Sequence, residues 1–153
     1  MWQRIQTVWW ILSILCIALF ATQDLLLFTP NGESIPSFVL RSYGLVEIAS
    51  DTTIKSSYSL LIIEAISIII SLTSIFIYKM RAFQIRLSIL NAFVLLGLVG
   101  MIAYLGFDFQ SAGASLGIKA WLALPFISII FQALAAQGVI KDELIIRMSN
   151  RIR

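Results

Sequence analysis

Two long apolar runs separated by a short basic stretch constrain this chain more than any other feature. The first run covers 58–78, and residues 79–86 then read Lys-Met-Arg-Ala-Phe-Gln-Ile-Arg before the second run begins. A helix needs about 20 mostly apolar residues to cross about 30 Å of hydrocarbon. The pattern therefore predicts a transmembrane hairpin with its basic turn in the cytoplasm, because cytoplasmic loops carry an excess of Lys and Arg.

The composition extends this prediction to the whole chain. Of 153 residues, 59% are hydrophobic and 12% are charged, against about 45–50% apolar and about 25% charged in soluble domains. We therefore predict an all-α membrane protein, a single domain over 1–153 that forms a four-helix transmembrane bundle. Its helices are expected at about 5–22, 58–78, 87–107 and 120–140.

The N-terminal run has an alternative interpretation. A charged start before an apolar core is also how a secretory signal peptide begins, and cleavage would then fall near residue 22. However, Leu19 stands where a small residue is preferred, and Trp9 and Trp10 suit a membrane interface. We expect an uncleaved first helix with its N-terminus in the cytoplasm.

The segment 24–57 is the only sizeable polar part of the chain and is expected outside the cell. Asn31 and Gly32 indicate a tight turn, and β-branched and aromatic residues at 25–28, 37–40 and 44–48 favour strands. We predict a small antiparallel sheet of two or three strands, with an ordered loop as the alternative. The second outer loop, 108–119, is expected to have no role of its own.

Charge distribution sets the predicted orientation. With both termini inside, the cytoplasmic segments hold eight of the eleven basic residues: Arg4, Lys79, Arg81, Arg86, Lys141, Arg147, Arg151 and Arg153. This bias explains the basic composition by topology, so no nucleic-acid partner is predicted. The tail, 141–153, is predicted to continue the fourth helix. The expected contacts with protein partners or lipid are Lys79, Arg81, Arg86, Arg147 and Arg151, and the alternative is that these residues only set topology.

The chain has no His and a single cysteine, Cys16, which we interpret as a small apolar core residue. The chain therefore lacks the residues that four kinds of site require: intramembrane haem held by His, His-based zinc sites, Ser-His-Asp catalysis and oxidation by Cys pairs. We predict no catalytic residue, no metal site, no cofactor and no enzymatic activity.

Glu64 is the only charged side chain within the four apolar runs. Ser67, Ser71 and Ser74 follow it at i+3, i+7 and i+10, which is one face of a helix. We predict that this face points into the bundle, because polar groups avoid lipid. The intramembrane polar residues of interest are Glu64, Tyr104, Ser128 and Gln132. Glu64 is expected either to clamp helices by donating to Tyr104 or Ser128, or to carry a proton. The pair Gly97 and Gly100 predicts a second surface for close helix packing.

Three segments together resemble a known family. They are the opening Gln3-Arg4-Ile5-Gln6-Thr7, the turn from Tyr78 to Leu87 with Asn91 after it, and the tail from Ile140 to Arg153. They resemble an uncharacterised membrane protein family of Bacteroidetes-type bacteria, the domain of unknown function 4293. The resemblance implies a four-span protein of the inner membrane, and it implies no activity, substrate or catalytic residue.

Two functions follow as hypotheses. The first is a non-enzymatic, multi-pass subunit or scaffold of the inner (cytoplasmic) membrane that binds protein partners or lipid. Its partners would be the lipid bilayer and other membrane proteins or a second copy of the chain. The alternative is a small proton-coupled transporter or channel component that uses Glu64.

Overall fold

The computed structural model describes residues 3–30, 37–48, 50, 52–77, 80–111 and 114–151. Four α-helices make up most of this part of the chain: α1 (Gln3–Ala21), α2 (Ser59–Phe76), α3 (Arg81–Ser111) and α4 (Ala123–Arg151), with a 3-10 turn at Ala120–Leu122 before α4. Within these described ranges, three segments are long and apolar enough to cross a membrane: Ser59–Phe76, Arg81–Asp108 and Ala120–Ile145. The apolar part of α1, Ile5–Ala21, is shorter.

The helices form a ring in chain order, in which each packs against the next and α4 closes against α1. The four predicted helices are therefore present in the part of the chain that the structure describes. The predicted continuation of the fourth helix is also confirmed, since α4 runs without a break to Arg151.

The third helix is longer than predicted. It begins at Arg81 rather than residue 87 and ends at Ser111 rather than residue 107. The basic residues Arg81 and Arg86 therefore lie on its first turns and not in a loop. The reason is that apolar runs mark the hydrocarbon-crossing part of a helix, whereas Arg, Ala and Gln continue a helix well beyond it.

A five-stranded antiparallel sheet lies at one end of the bundle, which we call the sheet end. Its strands are β1 (Leu26–Pro30), β2 (Phe38–Arg41), β3 (Gly44–Glu47), β4 (Thr53–Ser56) and β5 (Ala114–Ile118), in the order β4-β3-β2-β1-β5. The strands predicted near 25–28, 37–40 and 44–48 are confirmed, whereas β4 and β5 were not predicted. The turn predicted at Asn31 and Gly32 lies outside the described residues.

Strand β5 corrects the expectation that the second outer loop has no role. It pairs with β1 from Leu26↔Ile118 to Pro30↔Ala114, so the loop before α4 completes the sheet begun after α1. Across this pair, the hydroxyls of Thr29 and Ser115 are hydrogen-bonded. A pairing between segments about 90 residues apart cannot be read from local sequence patterns.

The sheet is stable there because it covers the ends of the helices. Leu25, Leu26, Phe28 and Leu40 from the sheet side are buried in one cluster with helical residues such as Phe20. The other buried members are Ile17, Leu60, Leu95, Leu98 and Ile102. This packing supplies the apolar partner that a small isolated sheet would lack.

A second apolar cluster lies toward the opposite end, which we call the far end. It contains Trp10, Ala135 and Val139. Trp10 is only 1% exposed, so its side chain packs between the helices instead of facing outward. Trp9 is half-buried and stacks on Phe131 with ring centroids 5.6 Å apart. Cys16 is half-buried rather than a full core residue.

Candidate functional site

Polar side chains from all four helices meet in the middle of the bundle. Gln132 Nε2 on α4 donates to Ser13 Oγ on α1 at 3.0 Å and to Ser71 Oγ on α2 at 2.8 Å. Asn91 Nδ2 on α3 donates to the same Ser71 oxygen at 2.8 Å. The hydroxyls of Ser13 and Ser128 lie 2.6 Å apart. We call these five residues the central polar cluster.

The central polar cluster crosses the ring of helices as well as following it. The bond from Gln132 to Ser71 joins α4 to α2, which lie on opposite sides of the ring. Each of the five side chains is buried. Two acceptor atoms, Asn91 Oδ1 and Gln132 Oε1, are buried without a hydrogen-bond partner among the described residues. The hydrogen bonds of the cluster therefore fix the rotation of the helices relative to one another. The two amide oxygens remain available to accept further hydrogen bonds.

The local sequence explains why Ser71 reaches this place. Glu64, Ser67, Ser71 and Ser74 occupy one face of α2, and all four are buried. The prediction that this face points into the bundle is confirmed. Small hydroxylated side chains allow neighbouring helices to come close, which brings the longer Asn and Gln amides within hydrogen-bond distance.

At the sheet end, Glu64 is 2% exposed and its Oε1 accepts a hydrogen bond of 2.7 Å from the Ser42 hydroxyl. Ser42 lies in the two-residue turn between β2 and β3, and its carbonyl oxygen also accepts the Leu61 N-H of α2 at 3.2 Å. Gly44 follows this turn with a φ of 150°, which residues with a Cβ rarely adopt. The carboxylate therefore joins the sheet to α2. Its second oxygen, Oε2, is buried without a partner among the described residues.

A charged group at the sheet end joins the two segments that carry the sheet to the end of α1. Asp24, just after α1, accepts from Arg41 Nε at 2.8 Å and from Lys119 Nζ at 3.0 Å. Arg41 also donates to the Tyr43 hydroxyl at 2.9 Å. The hydrogen bond from Arg41 is the main reason that the pKa of Asp24 lies below its usual value, and Lys119 lowers it further. The same bond raises the pKa of Arg41.

At the far end, polar contacts again join the helices. Trp10 Nε1 donates to Ser88 Oγ at 3.1 Å, and Gln84 Nε2 donates to the Ser74 carbonyl at 2.8 Å. Nearer the end, Gln6 Nε2 on α1 donates to Asp142 Oδ2 on α4 at 2.7 Å. Together with the central polar cluster and Glu64, these residues form a column of polar groups along the bundle, and all of them except the half-buried Asp142 are buried.

The structure separates the predicted intramembrane residues. Ser128 and Gln132 belong to the central polar cluster, but neither contacts Glu64. Tyr104 is 64% exposed on the outside of α3. The expectation that Glu64 donates to Tyr104 or Ser128 is therefore wrong, because similar depth on two helices does not place residues on facing sides.

The glycine pair of α3 also points away from the other helices. Apart from the nearby backbone of α3 itself, no described atom lies within 4 Å of the position that a Cβ would take at Gly97 or Gly100. The predicted close packing at these glycines is therefore wrong within this chain. They line an open groove with Ile63, Ile66 and Tyr104.

The predicted basic residues fall into three groups. Arg81 is half-buried and lines a pocket at the far end, whereas Arg86 is exposed. Lys79 lies outside the described residues, as do the side chains of Arg147 and Arg151.

Two residues that make buried hydrogen bonds in the structure, Asn91 and Ser42, were not predicted as site residues from the sequence. Asn91 interrupts an apolar run with an amide, as Glu64 does with a carboxyl, and that signal was available in the sequence. Ser42 carries no such signal, because it stands in a polar loop and gains its role from the position of the sheet.

The sequence matches the domain of unknown function DUF4293 over residues 2–152, nearly the whole chain. The chain belongs to the DUF4293 family. The predicted family is thereby confirmed, and no curated protein matches the sequence. The DUF4293 fold, as seen in this chain, is four helices with a small sheet at one end.

Proposed function

We propose that this DUF4293 protein crosses the bacterial inner membrane four times with both termini in the cytoplasm. In this proposal it acts there as a non-enzymatic scaffold or subunit that binds lipid or protein partners, which include a second copy of the chain.

The observation that carries the proposal is the reversed placement of polar and apolar side chains. Among the residues whose burial the structure describes, the buried polar side chains other than Ser42 are all on the helices: Gln6, Ser13, Glu64, Ser67, Ser71, Ser74, Gln84, Ser88, Asn91, Ser128 and Gln132. Large apolar side chains point outward on the same helices, and they include Ile5, Leu15, Ile62, Ile69, Phe76, Phe93, Leu96, Phe107, Ile130 and Ile140. In water this arrangement would expose far more apolar surface than a soluble monomer carries. In a bilayer, the outward apolar side chains would instead contact the hydrocarbon of the lipids.

Single-cysteine labelling tests the topology. In a Cys16→Ala background, one new cysteine is placed at the sheet end (Ser50→Cys) or at the far end (Met80→Cys). A membrane-impermeant maleimide should label position 50 in spheroplasts and position 80 only after the membrane is opened. The Cys16→Ala chain without a new cysteine is the control. Labelling of position 80 in sealed spheroplasts would contradict the proposed orientation.

The scaffold role is supported by how the polar groups are used. Most of the buried polar side chains join one helix to another or the sheet to a helix. The outward apolar faces and the basic far end are then the surfaces left for partners. The lack of His removes the usual residue for acid-base or metal chemistry.

Purification from native membranes tests partner binding. Proteins that co-purify after mild solubilisation are quantified for the wild-type chain and for a variant with Arg81, Arg86 and Arg147 changed to Glu. Replacement of the same residues by Lys is the matched control, because it keeps the charge. We expect the Glu variant to insert but lose its partners, and the Lys variant to keep them. A wild-type chain that always elutes alone would refute partner binding.

A second candidate function rests on one atom. Glu64 Oε2 is buried and has no hydrogen-bond partner in the described part of the chain. It can therefore carry a proton or accept a hydrogen bond from a ligand. The test is proton flux through liposomes that hold the purified protein under a pH gradient. Glu64→Gln keeps an acceptor for Ser42 but removes the proton site. Equal flux through both forms, or none through the wild type, would exclude proton transfer by Glu64.

A further inference from the structure

A polar pocket lined by residues of all four helices lies at the far end, and we call it the far-end pocket. Its polar and aromatic lining comes from Gln6, Thr7 and Trp10 on α1, Arg81 and Gln84 on α3, and Asp142 on α4. Its volume of about 110 Å³ is several times the 10–15 Å³ or so that one water molecule needs. The pocket can therefore hold a small polar group.

The far-end pocket contains one cationic and one anionic side chain. Arg81 is half-buried, and the structure shows no hydrogen bond or ion pair to its guanidinium from the described residues. Asp142 is also half-buried, and its Oδ2 is held at 2.7 Å by Gln6 Nε2. No ion pair joins Arg81 to Asp142 within the described ranges. Two opposite charges thus face one cavity without neutralising each other.

A glycine on α4 leaves room for the side chain that binds the carboxylate. Gly138 lies against Gln6, and a Cβ at this position would come within 2.8 Å of Gln6 Cγ. The absence of a side chain at Gly138 therefore gives Gln6 the space in which its amide donates to Asp142.

The two charges select a ligand that carries both signs. A guanidinium presents paired N-H donors that match the oxygen atoms of a phosphate. Arg81 is also the first residue of α3, where the helix dipole favours an anion. A carboxylate prefers an ammonium group that can donate hydrogen bonds. Phosphate and primary amine occur together in phosphoethanolamine, the headgroup of a common membrane phospholipid.

We propose that the far-end pocket binds a phosphoethanolamine group, with the phosphate at Arg81 and the primary amine at Asp142. The inference rests on the proposed function, because a membrane-spanning bundle places its ends at the level of lipid headgroups. The same group could be supplied by the lipid or by a soluble aminophosphate ester.

The test compares lipids that differ only in their headgroup. Purified protein in nonionic detergent is incubated with phosphatidylethanolamine, phosphatidylcholine or phosphatidylglycerol of the same acyl chains, and retained lipid is counted by native mass spectrometry. The choline ammonium has no N-H to donate and glycerol has no ammonium. We expect retention of the ethanolamine lipid to exceed that of either other lipid by about tenfold, which is the effect of one charge-assisted hydrogen bond. Equal retention of all three lipids would overturn the proposal.

Two variants assign the two ends of the ligand. Arg81→Gln should lower the retention of ethanolamine lipid by about tenfold or more. Asp142→Asn keeps an acceptor for Gln6 but should abolish the preference for the ethanolamine over the choline headgroup. Lys141→Gln is the matched control, because Lys141 is an exposed cation beside Asp142 on α4 and lies outside the pocket lining. Thermal unfolding of each variant checks its fold, and equal retention by Arg81→Gln and Lys141→Gln would refute the assignment.

Competition with soluble phosphoethanolamine identifies the source of the ligand. Displacement at micromolar concentration supports a soluble ligand, and displacement only at far higher concentration supports the lipid. Because the assay is done in detergent, it does not depend on orientation. If the topology test fails but the headgroup selectivity is seen, the proposed function alone is rejected. If the topology is as proposed but all three lipids are retained equally, the binding of phosphoethanolamine in the pocket alone is rejected.

Discussion

Replacement of Ser71 by Ala provides the sharpest test of the central polar cluster. The Ser71 hydroxyl oxygen accepts hydrogen bonds from both Asn91 and Gln132, each at 2.8 Å. Gln132 Nε2 retains Ser13 as an acceptor in the variant, whereas Asn91 Nδ2 loses the one partner that the structure shows for it. The change removes a single oxygen atom, so it leaves almost no cavity.

The expected loss follows from these two bonds. Hydrogen bonds between helices in a bilayer contribute on average about 0.6 kcal/mol and at most about 1.7 kcal/mol each. An amide left buried without an acceptor costs about 1–3 kcal/mol. We therefore expect Ser71→Ala to lower the free energy of unfolding by about 1–3 kcal/mol.

Ser67→Ala is the matched control. Ser67 is buried on the same face of α2, one turn nearer the sheet, and the described residues show no side-chain hydrogen bond for it. We expect a change of less than about 0.5 kcal/mol for this variant. The assay is equilibrium unfolding in mixed micelles by titration with a denaturing detergent, followed by circular dichroism. If Ser71→Ala lost no more stability than Ser67→Ala, the central polar cluster would not hold the helices together.

Two further predictions concern the ends of the bundle. Asp24→Asn should reduce stability near neutral pH by up to about 1 kcal/mol for each of its two ion pairs, since they are partly exposed. Because the folded pKa of Asp24 is lowered, its contribution is present above the unfolded pKa of about 3.9 and is lost as the pH falls through the folded value. The difference in free energy of unfolding between Asp24→Asn and the wild type should therefore shrink below about pH 4. A difference that stays constant across pH would contradict this role of the Asp24 ion pairs. Gly138→Ala should destabilise by about 1–3 kcal/mol because its Cβ meets Gln6 at 2.8 Å. Gly100→Ala, with open space at its Cβ, should be neutral or stabilising in the same unfolding assay, and equal losses would refute the packing argument.

The periodicity of polar residues predicted one face but not its partners. Ser67, Ser71 and Ser74 were correctly assigned to one buried face of α2, because a helix repeats every 3.6 residues. That repeat says nothing about the rotation of the neighbouring helix. Tyr104 and Gly97 were therefore placed in the bundle by depth and type alone, although both face outward.

The sheet shows the same limit. Strands β1, β2 and β3 follow one another with local β-forming patterns, so the sequence indicated them. Strand β5 lies in a short segment rich in Gly, Ser and Ala, and it becomes a strand because β1 is available as its partner. Ser42 meets Glu64 for a similar reason, since the packing of the sheet on the helix ends brings the turn over α2.

The amino-acid sequence by itself determined the number of long helices, the approximate extent of their apolar parts and the family of the chain. Each of these depends on composition and spacing along one segment, which a reader of the sequence can measure. The tertiary structure alone decided which polar groups meet: Ser71 with Asn91 and Gln132, and Arg81 with Asp142 around one pocket. The physical reason is that these contacts join residues far apart in the chain. Their formation depends on the relative rotation and height of four packed helices, which only the folded bundle sets.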